Sequence, residues 1–229
     1  MEKLLISFFA IILSVGGFAQ QFNLGNVSFA TDSVWVISGN GITQIWSDAV
    51  QTDSCSNKTT FDGGDWKKID EYSFEYNFKI DCRSNPGQKG DLFSWRAVNE
   101  FEDMLCPFPW RVPTRQDFID LDIALGGNGG NRMFIYDNDN RMVSPQFITR
   151  NYLNRWGGSY GGNSHRPRSD EGYRIMFVGS SAGYWSSSEY SNAVVYFMHF
   201  SSYGHGSSVD PQAYGEKNTG YSLRCVRDN

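Results

Sequence analysis

The segment Gly179-Ser180-Ser181-Ala182-Gly183 has the G-x-S-x-G form of a nucleophile elbow. In such an elbow a serine sits on a strained turn between a strand and a helix and attacks an acyl carbonyl. Here Tyr184-Trp185-Ser186 follows, which favours a strand, and no histidine lies beyond Asp210 to complete a Ser…Asp…His order. A tight turn between two strands is the expectation instead. A metal centre has no better support. His165, His199 and His205 are scattered with no H-x-x-x-H spacing, so only convergence of His199, His205 and a carboxylate in the fold would make a site. Asp137-Asn138-Asp139-Asn140 offers oxygen ligands of the kind calcium takes. A calcium-binding loop of the EF-hand type needs a glycine next and a glutamate further on. Arg141-Met142 stands there, so a polar turn is expected and calcium near Asp137 and Asp139 is left open. Asp117, Asp120 and Asp122 are the carboxylates that a glycosidase reading would use. At helical spacing 117 and 120 share a face, and a solvated face is the expectation. No residue is assigned as a catalyst, and no cofactor or metal is called for.

Aromatic rings on glycine-rich loops are what remains. Trp156-Gly157-Gly158-Ser159-Tyr160-Gly161-Gly162 and Ser202-Tyr203-Gly204-His205-Gly206 place Trp156, Tyr160, Tyr203 and His205 where a ring can stack on a sugar or a peptide. Such rings join an apolar body to a polar tip, and loops on a rigid scaffold are where recognition concentrates. The competing reading is that these rings close over the core. Trp110 and Trp185 are expected in the core.

Elements must position these loops, and the compartment bounds which elements are stable. Met1-Glu2-Lys3 is followed by an apolar run from Leu4 to Val15 and by the small residues Gly17 and Ala19. This is the pattern of a secretory signal peptide over residues 1–19. The run is shorter than the roughly 20 apolar residues that span a bilayer, so no membrane span is expected after its removal. No cysteine follows to carry a lipid anchor. The exported chain, periplasmic, cell-surface or extracellular, then begins near Gln20 and has about 210 residues. A chain of that size buries roughly 70% of its unfolded surface, enough for a core without staples. The chain is 16% aromatic and carries a net charge of -5 with no basic stripe, which argues against nucleic acid as a partner.

All four cysteines, Cys55, Cys82, Cys106 and Cys225, lie in the exported part. An even count in an oxidising compartment favours two disulfides, with three connectivities open. Cys55–Cys82 with Cys106–Cys225 is the choice carried forward, and these closures contribute roughly 3.5 and 5 kcal/mol on the chain-entropy model. Cysteines committed to staples leave no free thiol for a thiol-dependent enzyme.

Val34, Val36, Ile42, Ile45 and Trp46 alternate around Gly39-Asn40-Gly41, a hairpin signal. Phe74, Tyr76 and Phe78 alternate as another strand, and Asn85-Pro86-Gly87 is a turn. Thr114 caps the clearest helix, with Asp117 three residues on, Phe118, Leu121 and Leu125 inward, and Gly126-Gly127 as the stop. A second helix is expected from Pro145, capped by Ser144, to about Trp156, and Val98 to Asp103 is helix-like. Short β runs follow at Arg174 to Val178, Tyr184 to Ser187, Val194 to Phe200 and Tyr221 to Val226. Strands, helices and strands again make an α+β domain of short antiparallel strands with two helices.

Five blocks in order complete the picture: Thr43 to Trp46, Gly90-Asp91-Leu92-Phe93-Ser94-Trp95, Cys106-Pro107-Phe108-Pro109-Trp110-Arg111-Val112-Pro113-Thr114, Tyr184 to Ser188, and Gly220-Tyr221-Ser222-Leu223-Arg224-Cys225-Val226. Together they resemble the Fibrobacter succinogenes major paralogous domain family of exported, Bacteroidetes-type proteins. Pro109 stands where that family usually has glycine. The resemblance implies a C-type-lectin-like fold and a disulfide joining Cys106 to Cys225. It leaves an N-terminal segment at 20–36 before a domain at 37–229. The calcium- and sugar-binding signature of true C-type lectins is missing, and the same fold hosts sugar binders, protein binders and a cysteine-dependent oxidase. The expected function is a non-catalytic recognition module for a glycan or a surface protein. A hydrolytic or thiol-dependent enzyme and a structural component of a surface assembly are the alternatives.

Overall fold

The computed structural model describes residues 27–30, 34–39, 41–52, 55, 82–85, 90–130, 133–134, 163–165, 174–177, 180–203, 206–217 and 219–228. The expected hairpin is present. β2 (Val34–Gly39) and β3 (Ile42–Thr52) pair antiparallel from Val34↔Ser47 to Gly39↔Ile42, which leaves Asn40-Gly41 as a two-residue connection. Gly41 has φ of 79°, a left-handed conformation that glycine takes without strain. β1 (Val27–Phe29) pairs with the far end of β3 on the same edge, and β12 (Arg224–Arg227) pairs along the opposite edge. Residues 27–29 and 34–36 therefore join the same sheet as β3.

The second sheet runs in the order β6 (Met133–Phe134), β11 (Gly206–Glu216), β10 (Val194–Tyr203), β9 (Ser181–Glu189), all antiparallel. Two small ribbons complete the strands, β4 (Cys82–Ser84) with β5 (Asp91–Phe93) and β7 (Asn163–His165) with β8 (Arg174–Met176). β8, a bonded turn in which Ser180 and Ser181 donate to the Phe177 carbonyl, and β9 follow one another. That is the tight turn between strands expected at the G-x-S-x-G segment.

The helix-like run before Cys106 forms two short helices, α1 (Trp95–Glu100), capped by the Ser94 hydroxyl, and α2 (Glu102–Leu105). α3 (Arg115–Ala124) starts at the predicted cap: the Thr114 hydroxyl accepts from the Asp117 amide and the Asp117 carboxylate accepts from the Thr114 amide. This reciprocal capping satisfies two donors that a helix N-terminus leaves open. The expected helix at 145–156 and the expected strand at 74–78 lie outside the described residues.

Two apolar clusters fill the interior. One gathers Phe93, Trp95, Leu105, Trp185, Phe197, Tyr221 and Leu223 with all four cysteines. The other packs Phe118, Leu121, Ala124 and Leu125 of α3 against Trp46, Tyr184, Met198, Phe200 and Val209. Both staples form as carried forward, Cys55–Cys82 and Cys106–Cys225, closing 27 and 119 residues of sequence. Trp185 is fully buried and its indole N–H donates to the Phe93 carbonyl at 2.7 Å. Trp110 departs from expectation. It is half-buried, edge-on to Phe29 at 5.4 Å with the Arg227 guanidinium 4.9 Å above it, because it follows the exposed tip Pro107-Phe108-Pro109 rather than an inward strand. The Phe108–Pro109 peptide bond is cis.

The chain end joins the two sheets. Tyr221 exchanges backbone bonds with Phe93 of β5, and Ser222 exchanges them with Gly183 and Trp185 of β9. Three residues later Arg224–Arg227 pairs with β3 as β12. The buried Arg224 guanidinium reaches the Asp48 carboxylate at 3.1 Å and the Ser47 carbonyl at 3.0 Å. A buried charge needs such a partner.

Candidate functional site

Of the rings singled out from sequence, Trp156, Tyr160 and His205 lie outside the described residues, as do Asp137 and Asp139. Tyr203 ends β10 with its backbone opposite Gly206. The carboxylates at 117–122 are a correction. Asp117 and Asp122 are buried, not on a solvated face. Arg111 folds back onto the first turn of α3 and its guanidinium meets the Asp117 carboxylate at 2.7 and 3.0 Å. Burial alone would raise the Asp117 carboxyl, but the bonds from Arg111 and Thr114 hold it below the usual carboxylate range. Asp122 accepts from the Gly129 amide at 2.8 Å and so shapes the loop after α3. Asp120 pairs with Gln116 on the helix surface. These side chains build the scaffold.

The structure does bring Ser181 and His199 together. Ser181 Oγ and His199 Nε2 are 2.9 Å apart, and His199 stands opposite Asp210 in the β10–β11 register. Such a pair can share a proton. The surroundings differ from an elbow, however. Ser181 is buried and is the first residue of a strand, and the Asp210 carboxylate accepts from the Gln212 amide at 3.0 Å. Among the described residues no three His, Cys, Asp or Glu side chains gather as metal ligands would.

A different surface collects exposed rings. β10 alternates without interruption, because the register shifts against it place the extra residues in β9 and β11. Val195 and Phe197 therefore face the disulfide-side cluster, while Met198 and Phe200 face α3. Tyr196 shares the second face. Its direct partner across the ladder is Tyr214. α3 begins only at Arg115, so among the described residues no helix covers this face beyond that point. Tyr190, from the turn after β9, completes the group. Its ring stacks on Tyr214 at 4.8 Å and 13° and meets Tyr196 edge-on at 5.4 Å and 78°. Tyr190 is 57% exposed and Tyr214 62%.

Neighbouring polar groups fix these rings. The Arg115 guanidinium lies 4.6 Å over the Tyr196 ring and donates from Nε, at 3.0 Å, and from Nη2 to the Gln212 side-chain carbonyl. The Arg115 amide donates to Ser188 Oγ at 2.9 Å, and the Gln212 amide nitrogen donates to the Gly129 carbonyl. The amides of Tyr190 and Ser191 both donate to the Val194 carbonyl, closing the β9–β10 turn. On the opposite face of the sheet, with Val195 and the disulfide-side cluster, Lys217 pairs with Glu189 at 2.7 Å and lies 4.3 Å from the centre of the Trp95 ring.

Sequence reading missed Tyr190, Tyr196 and Tyr214. The available signal was the alternation of Tyr196 and Tyr214 with Val195, Phe197, Ala213 and Gly215, which puts both tyrosines on one face once the strands are in register.

The chain matches the family model described as the Fibrobacter succinogenes major domain over residues 24–227. No curated protein and no solved structure matches it.

Proposed function

We propose that this chain, a member of the Fibrobacter succinogenes major domain family, is an exported, non-catalytic recognition module that binds a glycan or a surface protein. In this reading the stapled strands are a C-type-lectin-like frame and the site is carried on its surface. The carrying observation is the exposed, stacked pair Tyr190 and Tyr214 on a bonded support of Tyr196, Arg115 and Gln212. Aromatic side chains held in place before binding lose little freedom on contact, which favours affinity. Export is supported by the signal-like N-terminus and by two disulfides, a pairing expected in oxidising compartments. Among the described residues no helix is long and apolar enough to cross a membrane. Glycan-array and pull-down screening should yield a ligand whose binding is weakened by Tyr190→Ala or Tyr214→Ala. Repeated screens without a ligand, with these variants, Trp156→Ala and Tyr203→Ala all behaving as wild type, would sink the reading.

A second, hydrolytic reading is favoured by one observation, the contact between Ser181 and His199. It requires an esterase or amidase turnover that Ser181→Ala abolishes while the melting temperature stays close to wild type. Equal activity in wild type and variant removes it.

A further inference from the structure

Resting on the recognition reading, and naming the ligand of that same surface, we infer that the tyrosine platform takes a neutral glycan built from pyranose rings with equatorial hydroxyls. Three observations lead there. Tyr190 and Tyr214 are nearly parallel at 4.8 Å, so each covers one face of the other. They leave no slot between them for a proline ring, the usual way paired aromatics hold an extended peptide. What they offer is an outer ring face with hydroxyl edges, more than half exposed on both residues. An aromatic face carries negative quadrupole charge and attracts weakly positive C–H groups. A pyranose whose hydroxyls are all equatorial presents axial C–H groups on both faces, so it lies flat on such a ring. An axial hydroxyl takes one of those two faces away, because on that side it turns an oxygen toward the ring, where it loses its water without gaining a partner.

Charge around the platform is the second observation. Two donors of Arg115 are engaged by Gln212, and Glu216 on the same face is exposed. Among the described residues around the platform one cation and one carboxylate stand together, so they form no single-sign field that selects a phosphate, a sulfate or a nucleic acid. The third observation is the rim itself. Ser191 and Asn192 follow Tyr190 in the β9–β10 turn, Glu216 shares the face of Tyr214 two residues on, and all three are exposed. Carboxylates accept from hydroxyls, and hydroxyl and amide groups both donate and accept, which suits the ring of hydroxyls around a sugar's edge.

The test titrates the purified, disulfide-intact chain with cellotetraose, whose ring oxygens are equatorial apart from the mutarotating reducing-end hydroxyl, and with β-1,4-linked galactotetraose, whose rings each carry an axial oxygen at C4. Binding is read by calorimetry and by ring-proton shifts of the tyrosines. Cellotetraose should bind at least about twofold more tightly than galactotetraose, Tyr190→Ala and Tyr214→Ala should each weaken it about tenfold, and Tyr214→Phe should stay within about twofold. Both tyrosines are exposed, so circular dichroism and melting of the alanine variants should match wild type. Equal or inverted sugar preference, or sugar binding indifferent to both alanine variants, overturns the inference. So does a surface protein or proline-rich peptide that binds in place of the sugars and is lost in Tyr190→Ala, although recognition by this surface then stands. Silence toward sugars, peptides and proteins alike overturns both.

Discussion

Asp91 shows how one side chain of a sequence block can serve the fold at a cost that depends on pH. It belongs to the Gly90-Asp91-Leu92-Phe93 run, is buried, and its carboxylate accepts from the Thr52 amide at 2.7 Å. Burial pushes its pKa up to about 6 from 3.8, and the Thr52 bond only partly opposes this. The folded protein therefore holds this proton more tightly than the unfolded chain. Its contribution to stability is fully present below about pH 4 and is lost as pH rises to about 6, on the order of 2–3 kcal/mol. Asp117 runs the other way. Its lowered carboxyl contributes stability above the usual carboxylate range and loses it as pH falls below. Denaturant unfolding across pH 4 to 8 should therefore show a decline through the Asp91 window. Asp91→Asn, which keeps an acceptor for Thr52, should flatten it. An unchanged pH slope in the variant would show that Asp91 is not titrating there. Sequence made the Thr114–Asp117 cap legible because capping needs only local spacing. It did not show Asp117 meeting Arg111, because that contact depends on how Val112-Pro113-Thr114 turns the chain between them.

At the scale of elements, strands that alternate cleanly were legible and the one that carries half the platform was not. Val194 to Phe200 reads as a strand because it is a short run of aromatic and β-branched residues. β11 was not read as one, since Asp210-Pro211 interrupts it and proline cannot donate to a ladder. The structure accommodates Pro211 at the shift between Phe197↔Ala213 and His199↔Asp210, where one extra residue of β11 leaves the pairing. Without β11 in register Tyr214 has no place opposite Tyr196, and the pair is not visible in the sequence. The sheet also depends on close approach at one glycine. A Cβ at Gly183 would lie 2.4 Å from the Tyr221 ring, which is itself stacked on Phe197 at 4.2 Å and buried. The neighbours have no room to yield, so Gly183→Ala should lower stability by roughly 1–3 kcal/mol through overpacking. A denaturant midpoint equal to wild type would mean that β9 shifts freely away from the chain end.

At the scale of the whole molecule the two sheets share one terminal segment, and that sharing decides how the protein comes apart. Residues 221–226 bond in turn to β5, β9, the Arg111 backbone and β3, while Cys225 is tied to Cys106. Neither apolar cluster is complete without this segment, since Tyr221 and Leu223 sit in one and Val226 in the other. The sheets should therefore unfold together, with tryptophan fluorescence and far-ultraviolet circular dichroism giving coincident transitions. The staples should then differ by the chain they close. Removing Cys106–Cys225 as a double alanine variant should destabilise by about 5 kcal/mol and removing Cys55–Cys82 by about 3.5 kcal/mol, because the longer loop regains more unfolded-state freedom. The order of the two losses is the sharper outcome, since native contacts around both bridges belong to the same cluster. If the Cys55–Cys82 variant proves the weaker, the short bridge stabilises through native packing rather than loop closure. If the Cys106–Cys225 variant splits the transition in two, the terminal segment couples the sheets only while the staple holds it.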